Sequence, residues 1–147
     1  MKHNTRLIFT VLALCLMAMA VAQAGEIVVI VNPASSISKA TSGEIEKVFM
    51  GKSSSVEGTK VVPVDQKSKS PARADFSDKI LGKTVKKVTN FWKKQVFSGK
   101  GEPPKRFEDD AKVIAYVAEN KNAIGYVSAD ALSDKVKSIS VDGKKKW

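Results

Sequence analysis

Four short β-branched runs, separated by stretches with apolar residues at helical spacing, leave this chain few folds to choose from. EIVVIVN (26–32) reads as a strand buried on both faces, closed by Pro33. KVVPV (60–64), AIGYVS (123–128) and VKSISV (136–141) read as three more strands. Pro63 suits a strand end or edge, and Gly125 inside AIGYVS suggests a close backbone approach. Between the runs lie helix signals. Thr41 and Glu44 have capping-box spacing, with Ile45, Val48 and Phe49 on one face and Gly51 as a stop. Ser70 followed by Pro71 predicts a helix over 71–81, ended by Gly82. Thr84 can cap the next helix, whose apolar stripe is Val85, Val88, Phe91, Trp92 and Val96, with Phe97 also expected in the core. Residues 98–107 read as a long turn. Ala111, Ile114, Val117 and Ala118 mark a further helix, with Glu108, Asp109 and Asp110 at its positive end. The tail, 142–147, is expected to fray. Strands alternating with helices predict one α/β domain with a mixed, largely parallel sheet flanked by helices.

The first 24 residues are set apart by pattern. Lys2 and Arg6 precede an uncharged apolar run of 15 residues (7–21) and then AQA (22–24), as in a secretory signal peptide. A membrane anchor would need about 18–20 apolar residues. Cys15 follows the bulky Leu14, so it reads as part of the apolar run. Cleavage after Ala24 is expected, leaving one domain over 25–147, no transmembrane segment and a periplasmic location.

That remainder contains neither the chain's single Cys (Cys15) nor its single His (His3). Disulfides, thiolate nucleophiles, Cys/His zinc sites and a Ser-His-Asp triad are therefore excluded from it. Neither an enzyme nor a cofactor is expected. Without Lys2 and Arg6, 23 of the 25 cationic residues remain against 15 acids, a net charge of +8. All but Arg73 and Arg106 are lysines. Lysine is a solvated point charge rather than a planar phosphate reader, and aromatic–basic interleaving is absent. Both points argue against a nucleic-acid site and for a basic surface.

VDQKSKSPARADFSDKI (64–80) carries the one strong suggestion of a ligand. A Ser- and Lys-rich loop leads from a strand into a helix, whose first turn has unpaired N–H groups and partial positive charge. Ser68 and Ser70 add hydroxyls, and Arg73 in the first turn could close on a tetrahedral oxyanion. The plainer alternative is that Ser70 caps the helix and Arg73 pairs with Asp78 or faces solvent. Ser35 and Ser36 follow the first strand, and two serine loops after two strands could converge beyond the sheet.

VFMGK (48–52), VVPVDQ (61–66), RADF (73–76), FWKKQVFSGKGEPP (91–104) and AIGYV (123–127) occur in the order seen in the phosphate-binding component of phosphate ABC importers, and nearly all of 25–147 resembles that family. The resemblance implies a type 2 periplasmic-binding-protein-like fold. Those binders have two lobes that close on the ligand, whereas this chain resembles mainly one. Their phosphate loop reads Arg-x-Asp-Gly-Ser-Gly-Thr. Aligned on Phe76, Ser70 matches the loop serine, Gln66 and Ser68 stand for its Arg and Asp, and Pro71 and Ala72 replace Gly-Thr. The resemblance implies binding of phosphate or a related oxyanion, weakly or with a partner. The partner it suggests is an importer permease or another envelope protein. The competing expectation is an interaction module with a vestigial pocket, whose basic face meets an acidic partner, an envelope surface or a polyanion.

Overall fold

The computed structural model describes residues 25–147; the expected signal peptide lies outside the described residues. Eight strands and four helices form there. They are β1 (Ile27–Val31), β2 (Lys39–Ala40), α1 (Ser42–Phe49), β3 (Ser55–Val56), β4 (Thr59–Lys60), β5 (Val62–Gln66), α2 (Pro71–Lys79), α3 (Val85–Phe97), β6 (Lys105–Phe107), α4 (Asp110–Glu119), β7 (Ala123–Ser128) and β8 (Lys137–Val141). Six strands make one sheet in the order β2-β8-β1-β7-β5-β6, and β3 and β4 form a small hairpin. β2 is parallel to β8, and β5 is parallel to both β7 and β6; β1 is antiparallel to both its neighbours.

Successive strand side chains point to opposite faces, and β1 shows how the core follows from that. Ile27, Val29 and Val31 meet Ile45, Val48, Phe49, Phe76, Val88 and Trp92 from α1, α2 and α3. Val28 and Ile30 meet Val113, Ile114 and Val117 from α4 on the other side. A strand covered on both faces must be apolar throughout, and all five β1 residues are buried. At Gly125 a Cβ would lie 3.0 Å from side-chain carbons of both Val113 and Val64, so α4 packs directly on the backbone there. The described residues thus hold a complete, two-sided core of their own. No helix among them is long and apolar enough to cross a membrane.

The local signals were largely sound. Thr41 and Glu44 form the full capping box, and Thr84 accepts from the Lys87 N–H. Four expectations need correction. The expected strand KVVPV is shifted: Lys60 belongs to the β3–β4 hairpin, turned at Glu57 and Gly58 with φ of 47° and 75°, and β5 runs from Val62 to Gln66. The long turn contains β6, held by parallel pairing to β5. The tail does not fray: Ile27 and Trp147 exchange both backbone hydrogen bonds, at 2.8 and 3.0 Å. Val96 and Phe97 are not core, being 53% and 95% exposed; Phe97 stands on the side of α3 opposite the buried Val88 and Trp92, and Val96 is in its last turn.

Candidate functional site

Beyond the carboxyl ends of the parallel strands β5, β6 and β7 lies a cavity of about 430 Å³. Gln66, Lys67, Lys69, Ser70, Pro71 and Ala72 line it from the end of β5 and the start of α2. Glu108, Asp109 and Asp110 line it from the start of α4, and Ser128 from the end of β7. This is where an open α/β sheet presents helix N-termini to a ligand.

The two helix starts differ. At α4, Asp109 accepts from the Lys112 N–H at 2.9 Å, so the protein's own carboxylate closes that end. At α2, Ser70 sits in the capping position without making a capping bond. Its hydroxyl donates instead to Gln66 Oε1. Pro71 has no N–H, and the Arg73 and Ala74 N–H groups bond back to Ser70 O. The Ala72 N–H is left without a partner among the described residues. Gln66 in turn donates to Asp110 Oδ1 at 2.8 Å and to Tyr126 O at 3.0 Å, which ties the two helix starts together. Lys67 forms an ion pair with Glu108, and that ammonium holds the Glu108 carboxyl below its ordinary range.

The expected site residues fall in three places. Ser70 lines the cavity. Ser68 is at the exposed tip of the same turn, outside the lining. Arg73 is buried behind it: Nη1 lies 3.3 Å from Asp65 Oδ2 and donates to Gln66 O at 2.7 Å. Its partner is therefore neither Asp78 nor solvent. Ser35 and Ser36 lie at the opposite end of the sheet. The registers Val31↔Ile124 and Pro63↔Ile124 put the end of β1 level with the start of β5, because β1 runs antiparallel to β7 and β5 runs parallel to it. There Ser35 O accepts from Lys137 at 2.6 Å, and the Ser36 hydroxyl meets that of Thr59 at 3.3 Å. The two serine loops do not converge.

Residues not proposed as ligands from the sequence complete the site. Asp65, in an otherwise apolar strand, accepts from the Tyr126 hydroxyl as well as pairing with Arg73. A buried carboxylate amid valines was the available signal, since such a charge needs a partner. Gln66 links the walls of the cavity, and Asp110 receives it. Among the described residues no cluster of His, Cys, Asp and Glu could hold a metal.

Burial, and then the adjacent Asp65 charge and hydrogen bond, push the Tyr126 phenol well above its ordinary value. Its folded pKa is raised, so its contribution to stability is complete below the unfolded value of about 10 and is lost as pH rises above that. Tyr126→Phe removes this loss, while giving up a hydrogen bond to a charged group of about 1.5–3 kcal/mol at neutral pH. Urea unfolding of both proteins between neutral and strongly alkaline pH checks this. The stability gap should narrow as pH rises; a constant gap would contradict the assignment.

No family model matches the chain, and no curated protein sequence matches it significantly. Solved structures do. An ABC-type phosphate transport receptor from Vibrio cholerae superposes with a TM-score of 0.63 at 14% identity, covering 84% of this chain and 50% of that one. A putative phosphate ABC transporter substrate-binding protein with bound phosphate from Clostridium perfringens gives 0.63 at 21%, covering 82% and 47%. PstS from Borrelia burgdorferi gives 0.60 at 14%, covering 82% and 49%. The chain has a periplasmic-binding-protein-like fold and spans about half the length of these proteins.

Proposed function

We propose that residues 25–147 act outside the cytoplasm, after cleavage at Ala24, as a non-enzymatic one-lobe binding module. The module takes a protonated oxyanion, phosphate rather than sulfate, at the start of α2. The observation that carries the reading is the uncapped α2 terminus, with its free Ala72 N–H, opening into a cavity that holds Ser70, Lys67 and Lys69. An anion there gains the Ala72 N–H and the helix dipole without special side chains. The likeness to phosphate receptors over half their length supports the same reading.

The cavity also selects. Glu108, Asp109 and Asp110 repel a fully ionised anion but accept a hydrogen bond from one that keeps a proton. Near neutral pH phosphate keeps one and sulfate does not. Binding is weak for two reasons: Ser70 must give up Gln66 to donate to the ligand, and an open single lobe lets water screen the charges. Arg73 contributes from behind, by holding the Gln66 carbonyl, and Ser35 and Ser36 belong to the far end of the sheet. Phosphate at millimolar concentration should raise the melting temperature of residues 25–147 where sulfate at equal ionic strength does not. Ser70→Ala should weaken phosphate about two- to tenfold, because the bond to the anion replaces one that Ser70 already makes to Gln66. Equal responses to the two anions would sink the reading. The second reading, a pocket that has lost its ligand, draws on the three carboxylates that outnumber the two lysines in the lining.

A further inference from the structure

α3 carries a surface that the oxyanion pocket does not use. From Val85 to Gly101 the sequence has five lysines and no acid: Lys86, Lys87, Lys93, Lys94 and Lys100. All five are exposed, and none forms an ion pair among the described residues. Helical spacing places them. Lys86, Lys93 and Phe97 stand at i, i+7 and i+11, on one stripe, with Lys87 and Lys94 beside it. Val88 and Trp92, on the opposite side, are the helix's buried anchors. The lysine face therefore points away from the protein.

At the end of that stripe stands Phe97, 95% exposed, beside Val96 at 53%. A lone exposed ring or a basic face alone would be ordinary, but Val96 and Phe97 together with the groove beside them make a contiguous apolar patch, which is what marks an interaction surface. Beside it opens an apolar groove of about 340 Å³, lined by Trp92, Val96, Phe97, Pro103 and Arg106 among others. Trp92 Nε1 and Arg106 Nε are buried N–H groups without a hydrogen-bond partner among the described residues.

We propose that this face docks on an anionic lipid surface, with the lysines over the headgroups and Phe97 and Val96 dipping into the boundary with the acyl chains. Charge complementarity selects the partner's sign. Phe97 selects its phase: a bilayer offers an apolar layer just beneath its anions, and a soluble polyanion does not. A short apolar anchor and a polybasic patch are the two signals that together give stable but reversible membrane attachment. The inference concerns a different face from the oxyanion cavity and stands or falls separately from it.

Co-sedimentation of residues 25–147, which carry a complete core of their own, tests it without the apolar run at 7–21. The probes are phosphatidylcholine vesicles with and without phosphatidylglycerol. Binding should require phosphatidylglycerol and weaken as salt rises. Phe97→Ser should lower the partition about tenfold, the lower end for burying a large apolar side chain, with an unchanged melting temperature. K93Q/K94Q should lower it about twenty-fivefold, near fivefold per lysine. In Phe97→Trp, emission should shift to the blue on phosphatidylglycerol vesicles beyond any change in the parent. The proposal is overturned by binding that ignores phosphatidylglycerol, by Phe97→Ser binding as well as the parent, or by retention on heparin without vesicle binding.

Discussion

Replacing Arg73 with methionine should lower stability by about 3–5 kcal/mol, the usual consequence of removing one partner from a buried ion pair. The Arg73 and Asp65 side chains are 2% and 8% exposed, so neither charge has water to fall back on. Asp65 would keep only the Tyr126 hydroxyl and the Gln66 N–H, the latter at 2.8 Å. The Gln66 carbonyl would lose its 2.7 Å donor at the point where β5 leaves the sheet for the cavity. Removing both charges should be milder than removing either, because a buried pair returns little more than its own desolvation cost. Urea unfolding of Arg73→Met, Asp65→Leu and the double variant gives the coupling directly. Additive losses, or an Arg73→Met midpoint equal to wild type, would contradict a structural pair. The result also bears on the ligand. Any loss of phosphate binding in Arg73→Met should follow the loss of folded protein, since the guanidinium does not line the cavity.

The elements with strong local signals were legible. β1 is apolar at every position because it is covered on both faces, and the capping box at Thr41 and the Thr84 cap are written in three or four adjacent residues. Gly125 was readable because only close packing explains a glycine within an apolar strand. The serine loops misled because periodicity carries no strand direction. That β1 runs against β5 is decided by their shared neighbour β7, some sixty residues after β5 and far from both in the chain. Ser70 has the position of a cap, but Gln66, four residues back, competes for its hydroxyl. Arg73 looked free because its partner lies on the preceding strand and not on its own helix. Phe97 was legible too: helical spacing puts it on the Lys86–Lys93 side of α3, opposite Val88 and Trp92, and adjacency to Val96 in the sequence hid that.

What joins the core to the cavity is α2, and beside the Arg73–Asp65 pair that helix has one large apolar anchor. Its buried residues are Ala72, Arg73, Phe76 and Ser77, of which only Phe76 is a large apolar group. The Phe76 ring stacks on Tyr126 at 3.8 Å and 5°, and lies 4.7 Å from the ring of Phe49. Phe76→Ala should therefore cost about 3–5 kcal/mol, for lost transfer energy and for a cavity that the rigid sheet beneath cannot fill. Phe76→Leu, which keeps most of the volume, should cost less than about 1.5 kcal/mol. The loss should be local before it is global. With its anchor gone, α2 opens more readily, and its amides should exchange hydrogen faster while those of β1 and β7 stay protected. Phosphate should then bind more weakly even where most of the protein remains folded, because the open helix end is itself the binding feature. Hydrogen exchange on Phe76→Ala, read beside its unfolding curve, separates these effects. A loss below about 1 kcal/mol, or unchanged exchange in α2, would mean that Tyr126 and Phe49 close over the gap and the helix has another hold on the sheet.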